Sequence, residues 1–141
     1  MNLTTSQIKL IKQSWRSLRG IKPALIADIF YSKLFVEQPS LRKMFPQNME
    51  EQYTKLMDML NSIIIRLDKL EEVHDDIINM AKRHEGYGVK DHHYKVVGEA
   101  LLWTLQQGLG KEWTKELEEA WSICYYQLAG LMKNVGAWAK N

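Results

Sequence analysis

Apolar residues recur at helical spacing along nearly the whole chain, and polar or breaking residues mark where one segment yields to the next. Ile8, Ile11, Trp15 and Leu18 step by threes and fours behind Thr4 and Thr5, either of which suits an N-cap. Gly20 ends that stretch, and Pro23 suits the first turn of the next helix. The segment from Ala24 to Phe35 is apolar nearly all round, which predicts burial between neighbours. Pro39 opens a short helical turn that reaches Met44 and Phe45, and Pro46 stops it. Gln52, Leu56, Met59, Ile63 and Leu67 share one face of a longer segment over 49–67. Over 70–84 the inner stripe is Val73, Ile77, Met80 or Ala81, and His84; over 91–107 it is Tyr94, Val97, Leu101 and Leu102. Leu117, Trp121, Cys124, Leu128, Leu131, Val135 and Trp138 alternate steps of four and three at the end. There is no hairpin signal, internal repeat or low-complexity stretch, so the fold class is all-α.

The last stripe also has the mean step of a coiled-coil seam. Gly130, Gly136 and the aromatic Trp121 and Trp138 argue instead for a core-facing helix, with dimerisation through its outer edge left open. The expected state is a monomer or weak homodimer. At 141 residues the chain suits one domain, 1–141, large enough to bury a core without staples. No stretch approaches the roughly 18–20 apolar residues that span a bilayer. Met-Asn-Leu-Thr-Thr lacks the charged start and apolar run of a secretory signal. A net charge of +2, evenly mixed, gives no nucleic-acid surface. The lone Cys124 excludes an intramolecular disulfide and reads as a small buried hydrophobe, so a reducing cytoplasm is the expected setting.

Four histidines are candidates for chemistry. His74 lies among Glu71, Glu72, Asp75 and Asp76, where solvation is expected; His92 and His93 open a helix after a loop, where capping or exposure is expected. His84 closes a stripe with Ile77 and Met80. From spacing alone it suits either a cation matched to the helix dipole or a metal ligand.

Several separated motifs narrow the choice. "DIFYSKLF" with Tyr31, Pro39 to Met44-Phe45, "EQYTKL" with Gln52 and Leu56, the block Lys82-Arg83-His84…Gly88-Val89…His93-Tyr94…Val97-Gly98, and Ala120-Trp121…Tyr125 follow in order over almost the whole length. This set resembles the single-domain bacterial globins and the globin half of flavohaemoglobins, and is similar to neuroglobin-type chains. The resemblance implies a globin fold, with about seven to eight helices around a haem pocket.

It also implies roles. His84 becomes the ligand to the iron of haem b, and Tyr31 and Gln52 become hydrogen-bond donors to bound oxygen. Phe45, Leu56, Val89 and Val97 would line the pocket, and Lys55 could either reach a haem propionate or remain a solvated lysine. Glutamine does not normally ligate ferrous iron, so an open, five-coordinate ferrous state is expected. Flavohaemoglobins pair a tyrosine and a glutamate around the proximal imidazole. Tyr94 fits the tyrosine, but the glutamate position falls near Gly136, and no acidic residue follows Glu119. The chain ends at Asn141 without a flavin or nicotinamide domain, so any turnover is expected to need a separate reductase.

The leading function implied is reversible binding of O2, with CO and NO as further gaseous ligands, for storage, delivery or scavenging. Nitric oxide dioxygenase chemistry with an external reductase is the alternative, and a gas-sensing or interaction module is the third.

Overall fold

The computed structural model describes residues 3–86 and 90–139, with side chains up to residue 84 and from residue 90 to 133. Among the described residues six α-helices follow one another: α1 (Thr5–Arg19), α2 (Pro23–Glu37), α3 (Glu50–Ile65), α4 (His74–Gly86), α5 (Asp91–Leu109) and α6 (Lys115–Ala139). Short 3-10 turns occupy Pro39–Met44, Leu70–Val73 and Gly110–Glu112, and no described residue is in a strand. The fold class expected from periodicity is the one found.

Local chemistry sets the helix ends. Thr4 Oγ1 accepts the Gln7 amide at 3.1 Å while Gln7 Oε1 accepts the Thr4 amide at 3.0 Å, a reciprocal cap on α1. Pro23 stands at the first turn of α2, where its missing N–H costs nothing. Asn48 accepts the Glu50 amide at 3.0 Å, and Glu50 and Glu51 complement the positive end of α3. Gly110, at φ +54°, takes the chain out of α5 through a conformation that favours glycine. Thr114 Oγ1 then accepts the Leu117 amide at 3.1 Å as α6 begins.

Packing crosses these helices. α2 lies on α3 and α5, α4 on α6, and α1 against α5 and α6. Ile11, Leu18, Ile64 and Leu105 are fully buried at the centre. The Trp15 and Trp121 rings meet at 6.3 Å. Trp15 Nε1 donates to Asn61 at 3.1 Å, and Trp121 Nε1 donates to Ser14 Oγ at 3.0 Å. Ser14 in turn donates to the Ile11 carbonyl at 2.8 Å, so both indoles are buried without a polar debt. No helix among the described residues is long and apolar enough to cross a membrane.

Three expectations are corrected. The stretch from Ala24 to Phe35 is not buried all round: Ile26, Ala27, Phe30, Tyr31 and Leu34 face inward, but Ala24 is exposed and Leu25 is 49% exposed. The stretch over 70–84 is not one helix, because the Leu70–Val73 turn breaks it before His74. In α6 the inward face passes through Leu117, Trp121, Cys124 and Leu128 and then takes Met132, leaving Leu131 47% exposed. An α-helix turns every 3.6 residues, so a stripe stepped at 3.5 drifts off the core face. The stripe positions Val135 and Trp138, and Gly136, lie outside the described side chains.

Candidate functional site

A cavity of about 210 Å³ opens between the helices, with wall residues from α2 through α6. Leu34, Leu56, Ile63, Val97, Leu101 and Leu128 make most of it apolar, and Phe45 joins them from just beyond the Pro39–Met44 turn. Tyr31, Gln52, His84, His93, Tyr94 and Tyr125 bring polar atoms into this setting.

His84 sits in the last turns of α4. Its Nδ1 lies 2.7 Å from the Met80 carbonyl oxygen, one helical turn earlier. A carbonyl only accepts, so Nδ1 holds the ring proton and Nε2 keeps its lone pair. Burial holds the imidazole pKa below the ordinary histidine value, against the opposing effect of that carbonyl and with Arg83 adding to the lowering. The ring is therefore a neutral donor of electrons on the cavity wall.

Four aromatic rings hold Tyr31 in place. Its ring meets Phe30 at 4.9 Å and Phe45 at 5.4 Å edge-on, and stacks with Tyr53 at 5.8 Å and Phe35 at 5.9 Å. Gln52 Nε2 donates to the Tyr31 hydroxyl oxygen at 3.1 Å. Because that oxygen accepts from Gln52, its own proton remains free to donate. Burial raises the phenol pKa, outweighing the lowering by Gln52, and Tyr53 adds to the rise. Tyr53 itself donates to Asp28 at 2.8 Å, tying α3 to α2 beneath the pair.

Phe45 is held by Arg42, whose guanidinium donates to the carbonyls of Phe45 (3.2 Å), Pro46 (2.9 Å) and Gln47 (3.1 Å). The same group lies 5.4 Å above the Phe35 ring.

At the α5–α6 side, the Tyr125 hydroxyl donates to the Tyr94 carbonyl at 2.6 Å. Gly98 makes room for that ring: a Cβ there would lie 2.6 Å from Tyr125 Cε2. Lys133 lies 5.3 Å over the Tyr94 ring. Cys124 is buried on the cavity wall, and burial pushes its thiol up to about 12.

Of the residues singled out from sequence, the cavity brings together His84, Tyr31, Phe45, Gln52, Leu56, Tyr94 and Val97. Lys55 is not among its wall residues; it is exposed and pairs with Glu51 at 3.3 Å. Val89 lies outside the described residues. Gln52, expected with Tyr31 to donate to bound oxygen, directs its Nε2 to the Tyr31 hydroxyl oxygen at 3.1 Å and so forms a chain with it.

His74 and His92 are exposed, as expected. His93 caps the start of α5, as one of the two expectations had it, its Nδ1 accepting the Lys90 N–H at 2.9 Å; that the ring is also buried on the cavity wall is what sequence reasoning missed. The signal was present, since His93, Val97, Leu101 and Leu105 step by four along α5.

The arrangement defines an all-α protein with an internal apolar cavity that presents one imidazole lone pair and one buried phenol–amide chain. Comparison with known proteins makes the class specific. The globin family model matches residues 28–132, and the chain belongs to the globin family. It is 32% identical to neuroglobin-1 of Oncorhynchus mykiss, over 99% of this chain and 94% of that protein. It is 30% identical to the flavohemoprotein of Vibrio cholerae, over 90% of this chain and 33% of that one. An engineered carbene transferase from Rhodothermus marinus, provisionally assigned as a nitric oxide dioxygenase, shares the fold at a TM-score of 0.88 and 27% identity, over 99% of this chain and 96% of that one.

Proposed function

We propose that the cavity holds haem b with His84 as the ligand to its iron, and that the protein binds a diatomic gas there reversibly, oxygen above all. The observation that carries this reading is the contact of His84 Nδ1 with the Met80 carbonyl oxygen at 2.7 Å: the carbonyl can only accept, so Nδ1–H donates to it and Nε2 is left with a lone pair on an apolar wall. Among the described residues no group of three or more His, Cys, Asp or Glu could hold a metal ion. A lone imidazole suits a metal that arrives with its other ligands, as porphyrin iron does. Bound there, haem supplies iron with a coordination position open to a gas.

The chain's own residues supply the discrimination. Gln52 polarises the Tyr31 hydroxyl, and the phenol proton is left to point at a ligand that gathers negative charge, as oxygen does. Carbon monoxide gathers little charge and gains less from the same donor; nitric oxide can enter the same space. One hydrogen bond of this kind contributes roughly 1.5–3 kcal/mol, or about ten- to a hundredfold in dissociation rate. Contacts with four aromatic rings fix the phenol before any ligand arrives. Leu56, Phe45 and Val97 keep water away.

Absorption spectra of the purified protein test the reading, recorded as isolated, after dithionite and after carbon monoxide. A Soret band that shifts on reduction, with a high-spin ferrous form that sharpens under carbon monoxide, is the expected result. A low-spin ferrous form before gas is added would refute the open site, and no Soret band after haem addition would refute haem binding. His84→Ala is expected to lose tight haem retention while keeping the far-ultraviolet helix signal; unchanged spectra would show that another residue is the ligand.

A second reading draws on the similarity to the Rhodothermus marinus protein: dioxygenation of nitric oxide to nitrate, with an external reductase returning the iron to the ferrous state. Nitrate formed per haem, with and without a reductase, separates the two. Single turnover in both cases would sink the enzyme.

A further inference from the structure

Two histidines line this cavity, and they hold their protons on opposite nitrogens. His84 donates from Nδ1 and keeps a lone pair on Nε2. His93, only 7% exposed, accepts the Lys90 backbone N–H on Nδ1 at 2.9 Å. Its neutral ring must therefore carry the proton on Nε2. Among the described residues nothing accepts that proton, and the cavity is the space the ring lines.

We propose that His93 is a positioning residue for the bound group, donating Nε2–H to a carboxylate of that group. The inference rests on the haem reading above, in which the porphyrin's two propionates are the carboxylates. Positive charge favours an anion here: Lys90, whose backbone N–H bonds the ring, acts on His93, and Lys133 stands by the next residue. Lys133 lies 5.3 Å over the ring of the neighbouring Tyr94, and it makes no ion pair among the described residues. Lys55, the cation that sequence offered for this role, is already paired with Glu51 on the surface. A donor that is nine-tenths buried and prealigned by a backbone amide loses little freedom when it engages. An exposed lysine would have to be ordered first.

The test compares loss of two pigments, iron protoporphyrin IX and its dimethyl ester, to an excess of an apoglobin acceptor. The unmodified protein should lose the ester about tenfold faster, since the ester cannot accept a charge-assisted bond. His93→Leu should lose both at nearly the same rate, and His93→Gln, whose amide still donates, should recover part of the difference. An unchanged ratio in His93→Leu, or no difference in the unmodified protein, overturns the proposal while leaving haem binding intact. Failure of the unmodified protein to form a Soret-absorbing complex with either pigment overturns the haem reading itself.

Should the variants not fold, the unmodified protein loaded with zinc protoporphyrin decides the matter by imidazole nitrogen NMR. The His93 titration should move upward with the diacid relative to the diester, and coincident titrations refute the contact.

Discussion

Replacing Gly98 by alanine sets helix propensity against packing, and the structure says which wins. Alanine is favoured over glycine inside a helix by about 0.8–1 kcal/mol. Here, however, the new Cβ would lie 2.6 Å from Tyr125 Cε2, 2.9 Å from Cδ2 and 3.1 Å from Tyr126 Oη. Tyr126 is 44% exposed and can swing aside. Tyr125 cannot, because its hydroxyl is bonded to the Tyr94 carbonyl at 2.6 Å. Relieving the clash moves the ring by roughly 1 Å, which costs about 1–3 kcal/mol in overpacking. Pulling the hydroxyl from its acceptor adds about 1–3 kcal/mol for an unsatisfied buried group. After subtracting the propensity gain, Gly98→Ala should destabilise the protein by about 1–5 kcal/mol. Urea unfolding followed by circular dichroism reads this as a lower midpoint at unchanged slope. Adding Tyr125→Leu should recover most of the loss, since the leucine vacates the space the methyl needs. A Gly98→Ala protein more stable than wild type by about 1 kcal/mol would refute the packing of α5 on α6 described above.

Further predictions follow from the same geometry. Tyr31→Phe should speed oxygen dissociation about tenfold or more. Gln52→Leu should do so less, and the double variant no more than Tyr31→Phe, because Gln52 acts through the phenol; additive effects by stopped flow would contradict the chain. Burial lowers the pKa of both His84 and His93, so as pH falls below the ordinary histidine range the unfolded chain takes up protons first. The haem-free protein should thus lose melting temperature as pH drops from about 7 towards 5, and His84→Leu/His93→Leu should flatten that slope. With its thiol pushed up to about 12 by burial, Cys124 should resist alkylation at neutral pH until denaturant is added; fast labelling of the native protein would place it elsewhere.

Much of the fold could be read before any coordinates. Thr4, Pro23 and Pro39 start their elements where capping and backbone chemistry say they must. Where the reading slipped, the cause was geometric. A stripe stepped at 3.5 chose Leu131 when the helix turned Met132 inward. A stretch as apolar as Ala24 to Phe35 says little about which of its apolar residues stay outside, and Leu25 did. Motif resemblance supplied Tyr31, Gln52, Phe45 and His84, residues scattered over four parts of the chain that periodicity could not have joined. His93 shows the reverse case. Its place at the opening of a helix made capping an expectation, and its spacing to Val97 and Leu101 was legible, but a position just after a loop gave no sign that the ring would also be buried. Only the backbone N–H of Lys90, placed against Nδ1, reveals a buried ring with a fixed proton. Hydrogen-bond direction cannot be read from residue type.

The grip of Arg42 bears on how the protein responds to salt. Its three partners are carbonyl oxygens, none of them a carboxylate. Added ions compete well for exposed charge pairs such as Lys55–Glu51 and Lys33–Glu37, but poorly for a guanidinium already wrapped by backbone dipoles. Rising ionic strength should therefore loosen the outer faces of α2 and α3 while the turn carrying Phe45 keeps its shape, leaving ligand affinity nearly constant across media that alter the protein's surface.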